Sequence, residues 1–422
     1  MGERGEAERK RGAAAPRGGP RGRAATPLPA AVWVLGFVSL LMDVSSEMVH
    51  GLLPVFLVVT LGASTVTLGI IEGLGEGVAL IVKLFSGLLS DRLGRRKLLV
   101  LAGYGLSALT KPLFALAQGA GLVLLARLVD RMGKGIRGAP RDALIADVTP
   151  PAVQGAAYGL RQTLDTVGAV IGPLIALVLM ELTGGDIRTV FWVAAIPGFL
   201  AVALIVFAVP EPVRPGTGSA AAPAFERAAL RALGRPFWKI VVVGALAALA
   251  LFSEAFLVLR ALDAGFAMNH APLVLVILSV VFALTAYPAG RLQDRIGGKG
   301  IVMTSLLALA LAHFLFAFSS APAPFVAALL FWGLHLGLSK GVFAALVAAA
   351  APAAFRGTAF GVFNLVAGGM LLLGNGLAGL LWHLAGPRAT FLAAAAVALA
   401  AMGAAGALIE GRRRRPDASS SG

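Results

Sequence analysis

Gly87-Leu88-Leu89-Ser90-Asp91-Arg92-Leu93-Gly94-Arg95-Arg96-Lys97 is the stretch that decides the fold. One apolar run of helical length ends at it, and another begins directly after it. Four cations and one carboxylate crowd a link too short to be a domain. A weaker copy stands at Gly290, Asp294, Arg295, Gly297 and Lys299, offset by 203 residues.

Composition says what surrounds these links. The chain has 422 residues, 58% of them hydrophobic, and a mean hydropathy of +0.87. A soluble domain has far more polar surface to cover, so this composition belongs in a lipid bilayer. There is no cysteine, which excludes a disulfide framework, thiolate catalysis and a Cys-ligated metal. The net charge of +15 would suggest nucleic acid in a soluble protein. Here the cations cluster between apolar runs and at the two ends, where topology accounts for them, and no nucleic-acid partner is expected.

Twelve apolar runs are long enough to span as helices, near 30–59, 65–90, 98–117, 119–147, 153–181 and 188–209, then 237–262, 270–292, 299–318, 321–350, 355–383 and 387–409. The short alternating segments of a β-barrel do not occur. Links after the even-numbered runs are basic, with Arg92, Arg95, Arg96 and Lys97 in one, Arg137 and Arg141 leading into another, and Arg214, Arg227, Arg231 and Arg235 in the middle of the chain. The opposite links carry chiefly Arg188 and Arg388. Both termini are therefore expected in the cytoplasm. The expected division is a disordered basic tail over 1–28, a six-helix bundle over 29–209, a cytoplasmic linker over 210–236, a second bundle over 237–410 and a tail over 411–422. The bundles repeat in sequence: Gln154 to Gly159 matches Arg356 to Gly361 at an offset of 202, and Pro150 and Gly172 fall on Pro352 and Gly374.

The loop pattern of Gly87, Asp91, Arg92, Gly94, Arg95, Arg96 and Lys97 resembles the signature between helices 2 and 3 of the major facilitator superfamily of transporters. The resemblance covers the chain between its tails. It implies an all-α membrane protein of twelve transmembrane helices in two six-helix repeats, working by alternating access. It also implies a gating role for Gly87, Asp91, Arg92, Gly94 and Arg95, with Gly290 and Asp294 in the second copy. Asp91 would cap the helix beginning near Arg356, and Arg95 would reach Asp147 or Asp142. The bland alternative is that the loop only sets topology.

An ionisable residue inside a span is costly unless it is paired or faces water. Asp43, Ser46, Glu47 and His50 share one helical face, and so do Glu72, Glu76 and Lys83. Two carboxylates four residues apart repel each other, and burial adds to that, which favours taking up a proton. Proton coupling at Asp43, Glu47, Glu72 or Glu76 stands beside a structural alternative, salt bridges between helices 1, 2 and 4. In run 4, Arg127, Asp130, Arg131, Lys134, Arg137 and Arg141 fall within about a third of the helix circumference, so the stripe must avoid lipid and face a cavity. Arg127 resembles the helix-4 arginine of proton antiporters in the superfamily.

Gly133-Lys134-Gly135 lacks the Gly-Lys-Ser/Thr ending of a phosphate loop, so these glycines are read as helix-packing positions. Gly168, Gly172 and Pro173 resemble the helix-5 motif of proton-driven exporters, where small residues would let helices 5 and 8 approach. Arg161 and Asp165, one turn apart, are either a local ion pair or part of the cavity.

The second half is poor in charge. Glu254 is its best lone carboxylate, with Arg260, His335, Lys340 and Asn364 as lesser candidates. His335 and His383 are too isolated for a metal site, and Phe252, Phe256, Tyr287 and Trp332 either line a cavity or pack. No nucleophile with a base and no nucleotide motif is present, so no enzyme activity, cofactor or metal is expected. The sequence reads as a proton-coupled exporter of a small molecule in a bacterial-type inner membrane, with a single chain expected to suffice. Uptake of an anionic solute or metal chelate is the second reading, and a non-transporting receptor or scaffold the third.

Overall fold

A computed structural model describes residues 27–93, 95–150, 153–210, 227–352 and 355–409. Most of the expected tails and linker lie outside the described residues, as does Gly94. Every regular element among the described residues is helical. In chain order the first half holds α1 (Ala30–Thr60), α2 (Thr65–Leu93), α3 (Arg96–Leu116), α4 (Ala120–Val148), α5 (Gln154–Leu182) and α6 (Ile187–Ala208). A short helix, Arg227–Ala232, precedes the second half. There follow α7 (Arg235–Asp263), α8 (Leu273–Ile296), α9 (Gly298–Phe318) and α10 (Pro322–Ala350). The last helical stretch, Arg356–Leu408, is broken at Gly386, whose φ of 80° favours glycine, giving α11 over 356–385 and α12 over 387–408.

Ten helices among the described residues are long and apolar enough to cross a membrane. Counting the Gly386 break adds an eleventh, and α4 is the twelfth, too charged to register by hydropathy alone. The outer faces are apolar: Phe207 is 87% exposed and Leu284 69%, a surface suited to lipid rather than to water.

Glycines set the close approaches. A Cβ on Gly133 would come within 2.6 Å of the Gly103 carbonyl, joining α4 to α3, and one on Gly135 within 2.8 Å of the Ala79 carbonyl, joining α4 to α2. Gly168 and Gly172 correct an expectation. They face α1, not α8: a Cβ at either would stand 2.7 Å from the carbonyls of Leu40 and Val44 respectively. The reason is the helix order, which seats α5 directly on α1 and lets α8 meet α5 on another face.

Two helices are interrupted midway. α1 turns at Gly51–Leu52, then continues through Leu53–Val55 and a π-helical turn at Phe56–Thr60. α7 breaks at 251–253 between Arg235–Ala250 and Glu254–Asp263, and the Ser253 side chain accepts from Ala255 N–H to restart it. Irregular backbone at membrane depth survives only where protein or a cavity covers it.

The hydrophobic cores show where the halves meet. One cluster joins Phe56, Leu57, Phe114 and Phe191 of the first half to Phe252, Phe256, Phe316 and Trp332 of the second. The remaining three clusters each stay within one half. Across the same closed end, the Thr65 hydroxyl donates to the Gly379 carbonyl at 3.2 Å, and Gly69 packs on Asn375. The halves are thus sealed at the end holding the α1–α2 and α7–α8 links, while toward the basic links the hydrophobic clusters among the described residues each stay within one half.

Candidate functional site

A cavity of about 600 Å³ lies between the halves. Its first-half wall is charged, with Asp43 and Glu47 on α1, Glu72, Glu76 and Lys83 on α2, Arg131, Lys134 and Arg141 on α4, and Asp165 on α5. The facing wall is mostly apolar, with Phe252, Phe282 and Trp332, and adds Ser253, Glu254 and Asn375. The wall is polar on one side because α1, α2 and α4 carry their ionisable residues at helical spacing, as the sequence implies.

The expected repulsion between Glu72 and Glu76 is corrected by pairing. Glu72 meets Arg127 at 2.7 Å and Glu76 meets Arg131 at 3.1 Å. Both pairs are four residues apart on their helices, so α2 and α4 run alongside in matched register, with one ion pair per turn. Lys83 is not the partner of Glu76; it lies over Gly138 of α4. Burying a charge is tolerable only when it is paired, and this ladder supplies the pairs.

The α4 stripe divides between two neighbours. Lys134 is exposed to the cavity, whereas Asp130 turns toward α3, where Lys111 binds it at 3.1 Å and also donates to Ser46 at 3.2 Å. Arg137 donates to Ser107 at 2.5 Å and stacks over Tyr104. Arg141 donates to Ser39 at 3.0 Å and Tyr104 at 3.3 Å. Arg127 and Asp130 therefore sit behind the cavity lining rather than on it, because a stripe a third of a turn wide spans two contact faces. Arg161 also lies behind the lining and binds Asp165 at 2.6 Å, one turn along α5.

Asp43 and Glu47 line the cavity without a guanidinium partner among the described residues. The nearest cation-forming group to Glu47 is His50, at 3.8 Å. Glu254 faces them from the second half, at the first turn of the restarted α7.

At the signature loop the structure exchanges one arginine for its neighbour. Arg96, not Arg95, meets Asp147, at 2.7 Å. Arg95 precedes α3 and is exposed, while Arg96 falls in the first turn and points back along it toward the end of α4. Gly87, Asp91, Arg92, Gly290 and Asp294 lie on α2 and α8, but their side chains are outside the described set, as are those of Lys340 and Arg356.

Sequence reasoning passed over Lys111, Ser253 and Asn375. Lys111 was findable as a lysine inside an apolar run. Ser253 and Asn375 had no local signal, since neutral polar residues are common in spans. In the second half, His335 bonds to Ser305, and Arg260 donates to the carbonyls of Phe316 and Ser319. No group of residues able to hold a metal occurs among the described residues.

Two helical halves around a polar cavity, joined by a shared core at one end, are the architecture of a membrane transporter rather than of an enzyme. The chain belongs to the Major Facilitator Superfamily, whose family model matches residues 35–266 and 256–422. It is 30% identical over 375 residues to an uncharacterized MFS-type transporter of Methanocaldococcus jannaschii, covering 87% of this chain and 92% of the other. It is 26% identical over 243 residues to the quinolone resistance protein NorA of Staphylococcus aureus, covering 57% and 60%. The crystal structure of the nucleoside transporter NupG shares the fold, with a TM-score of 0.73 at 17% identity over 90% of this chain and all of that one.

Proposed function

We propose that the protein exports a small molecule in exchange for protons by alternating access. The observation that carries this reading is a set of cavity carboxylates, Asp43 and Glu47 on one half and Glu254 on the other, that are not committed to a guanidinium. Such groups can take up and release a proton from water in the cavity. The charge of the basic links supports a cytoplasmic position for the end toward which the cavity runs, and in that reading this conformation loads solute from inside the cell. The termini would then be cytoplasmic and the membrane the inner one. The likeness to a quinolone resistance protein supports outward transport.

A second reading, uptake of an anionic solute, is favoured by one feature. Lys83, Lys134 and Arg141 line the cavity on the side of the basic links.

Proteoliposomes carrying a pH gradient test both. Solute-dependent proton movement opposite in direction to the solute supports export, and movement in the same direction supports uptake. Loss of coupling in Glu47→Gln or Glu254→Gln, with Glu76→Gln retaining it, is expected if the uncommitted carboxylates take part. Gradient-independent movement of every solute tried, in folded protein, overturns proton coupling.

A further inference from the structure

We propose that the cavity takes an extended zwitterion: a solute with an ammonium at one end, an acidic group at the other and an apolar body between, lying along the cavity with its ammonium toward the sealed end. The proposal names the class of solute for the transport reading of this cavity and rests on that reading.

Contacts between helices fix the depth of each charged group. Along α2 and α4 the levels run Glu72 with Arg127, Glu76 with Arg131, Ala79 with Gly135 and Lys83 with Gly138. α1 joins the same ladder: His50 Nε2 lies 3.0 Å from Arg127 Nη2, Lys111 bonds both Ser46 and Asp130, and Arg141 donates to Ser39. Glu47 is therefore level with Arg131, and Asp43 with Lys134. Glu254 follows Ser253, whose hydroxyl donates to Glu72 at 2.9 Å, so it stands at the deepest level.

Setting aside the groups that are already satisfied leaves a sorted set. Glu72, Glu76, Arg131 and Asp165 have ion-pair partners, and Arg137 and Arg141 have polar ones. The uncommitted carboxylates Glu254 and Glu47 occupy the two levels nearest the sealed end. Lys83, with no carboxylate partner among the described residues, marks the level toward the basic links. Lys134 and Asp43 share the level between. Two turns of α4 separate the level of Glu254 from that of Lys134, and the level of Glu47 from that of Lys83, a rise of roughly 10 Å in each case.

Across from these charges the wall is apolar, with Leu275, Leu278 and Phe282 on α8 and Leu336 on α10. The volume of about 600 Å³ suits a drug-sized ligand. A ligand that displaces water from this space must answer both sets of charge, because a desolvated charge without a partner is costly. A cation answers only the deep carboxylates, and an anion only the lysines. A solute with both charges on one carbon is too short to reach both sets. A zwitterion of matching length answers both, and its apolar body covers the wall of the second half.

Binding in lipid nanodiscs at one pH, with no gradient, tests this. Four probes share a biphenyl body: an extended zwitterion with an aminomethyl group at one end and a carboxylate at the other, the matched amine, the matched acid, and biphenylalanine, which carries both charges on one carbon. The extended zwitterion should bind about tenfold more tightly than each of the other three. Lys83→Gln and Lys134→Gln together should weaken it about tenfold and leave the amine unchanged. Glu47→Gln and Glu254→Gln together should weaken the zwitterion and the amine and leave the acid unchanged. Retained binding of the unaffected probe shows that each variant is folded. Binding of the amine, the acid or biphenylalanine as tight as that of the extended zwitterion overturns the proposal, and so does a zwitterion affinity that survives the lysine changes. Binding of no probe, to protein that elutes as a single species, overturns it as well. None of these results depends on proton movement in proteoliposomes, so proton coupling stands or falls separately.

Discussion

Lys111 of α3 and Asp130 of α4 form an ion pair of 3.1 Å in which the lysine side chain is 1% exposed and the aspartate 8%. The pair lies behind the cavity wall and ties the two most polar neighbours of the first half together. Removing one partner leaves a buried charge with no compensation, which costs about 3–5 kcal/mol. Lys111→Met and Asp130→Leu are each expected to lower the unfolding temperature in detergent sharply, and the double variant to recover most of the loss. Additive losses in the double variant would show that the two side chains do not act as a pair.

Gly168 and Gly172 are where α5 touches α1, beside Asp43 and Glu47. Gly168→Ala places a Cβ 2.7 Å from the Leu40 carbonyl and should cost about 1–3 kcal/mol through overpacking. Gly159→Ala on the same helix meets nothing within 4 Å and should be neutral. Equal thermal stability of the two variants would contradict the α1–α5 contact.

Arg96 and Arg95 are neighbours with different surroundings. Arg96→Gln breaks the bond to Asp147 and is expected to cost about 1–3 kcal/mol. Arg95→Gln alters an exposed residue and should stay within about 0.5 kcal/mol. Hydrogen exchange should show lost protection at the start of α3 and the end of α4 for the first variant alone. The reverse order would restore Arg95 as the partner.

Lys134 is exposed on the cavity wall, and the cavity runs toward the basic links. Lys134→Cys should react with a membrane-impermeant maleimide in inverted vesicles and resist it in intact cells. Gln118→Cys, at the sealed end, should show the opposite pattern. Labelling of Lys134→Cys from outside alone would invert the proposed topology.

The amino-acid sequence by itself determined the class of fold. Spanning length and loop charge are properties of consecutive residues, so the runs and the repeat at 202 residues were readable without coordinates. Helical periodicity also placed Asp43 with Glu47, and Glu72 with Glu76, because one helix face is fixed by spacing alone. Which partner each charge takes was decided only by tertiary structure. The matched register of α2 and α4 gives Glu72 to Arg127 and Glu76 to Arg131, and the rotation of α4 gives Asp130 to Lys111. The same holds for Gly168 facing α1 and for Ser253 meeting Glu72 across 181 positions of chain. Helix rotation and register arise from the packing of whole faces, and no local run of residues encodes them.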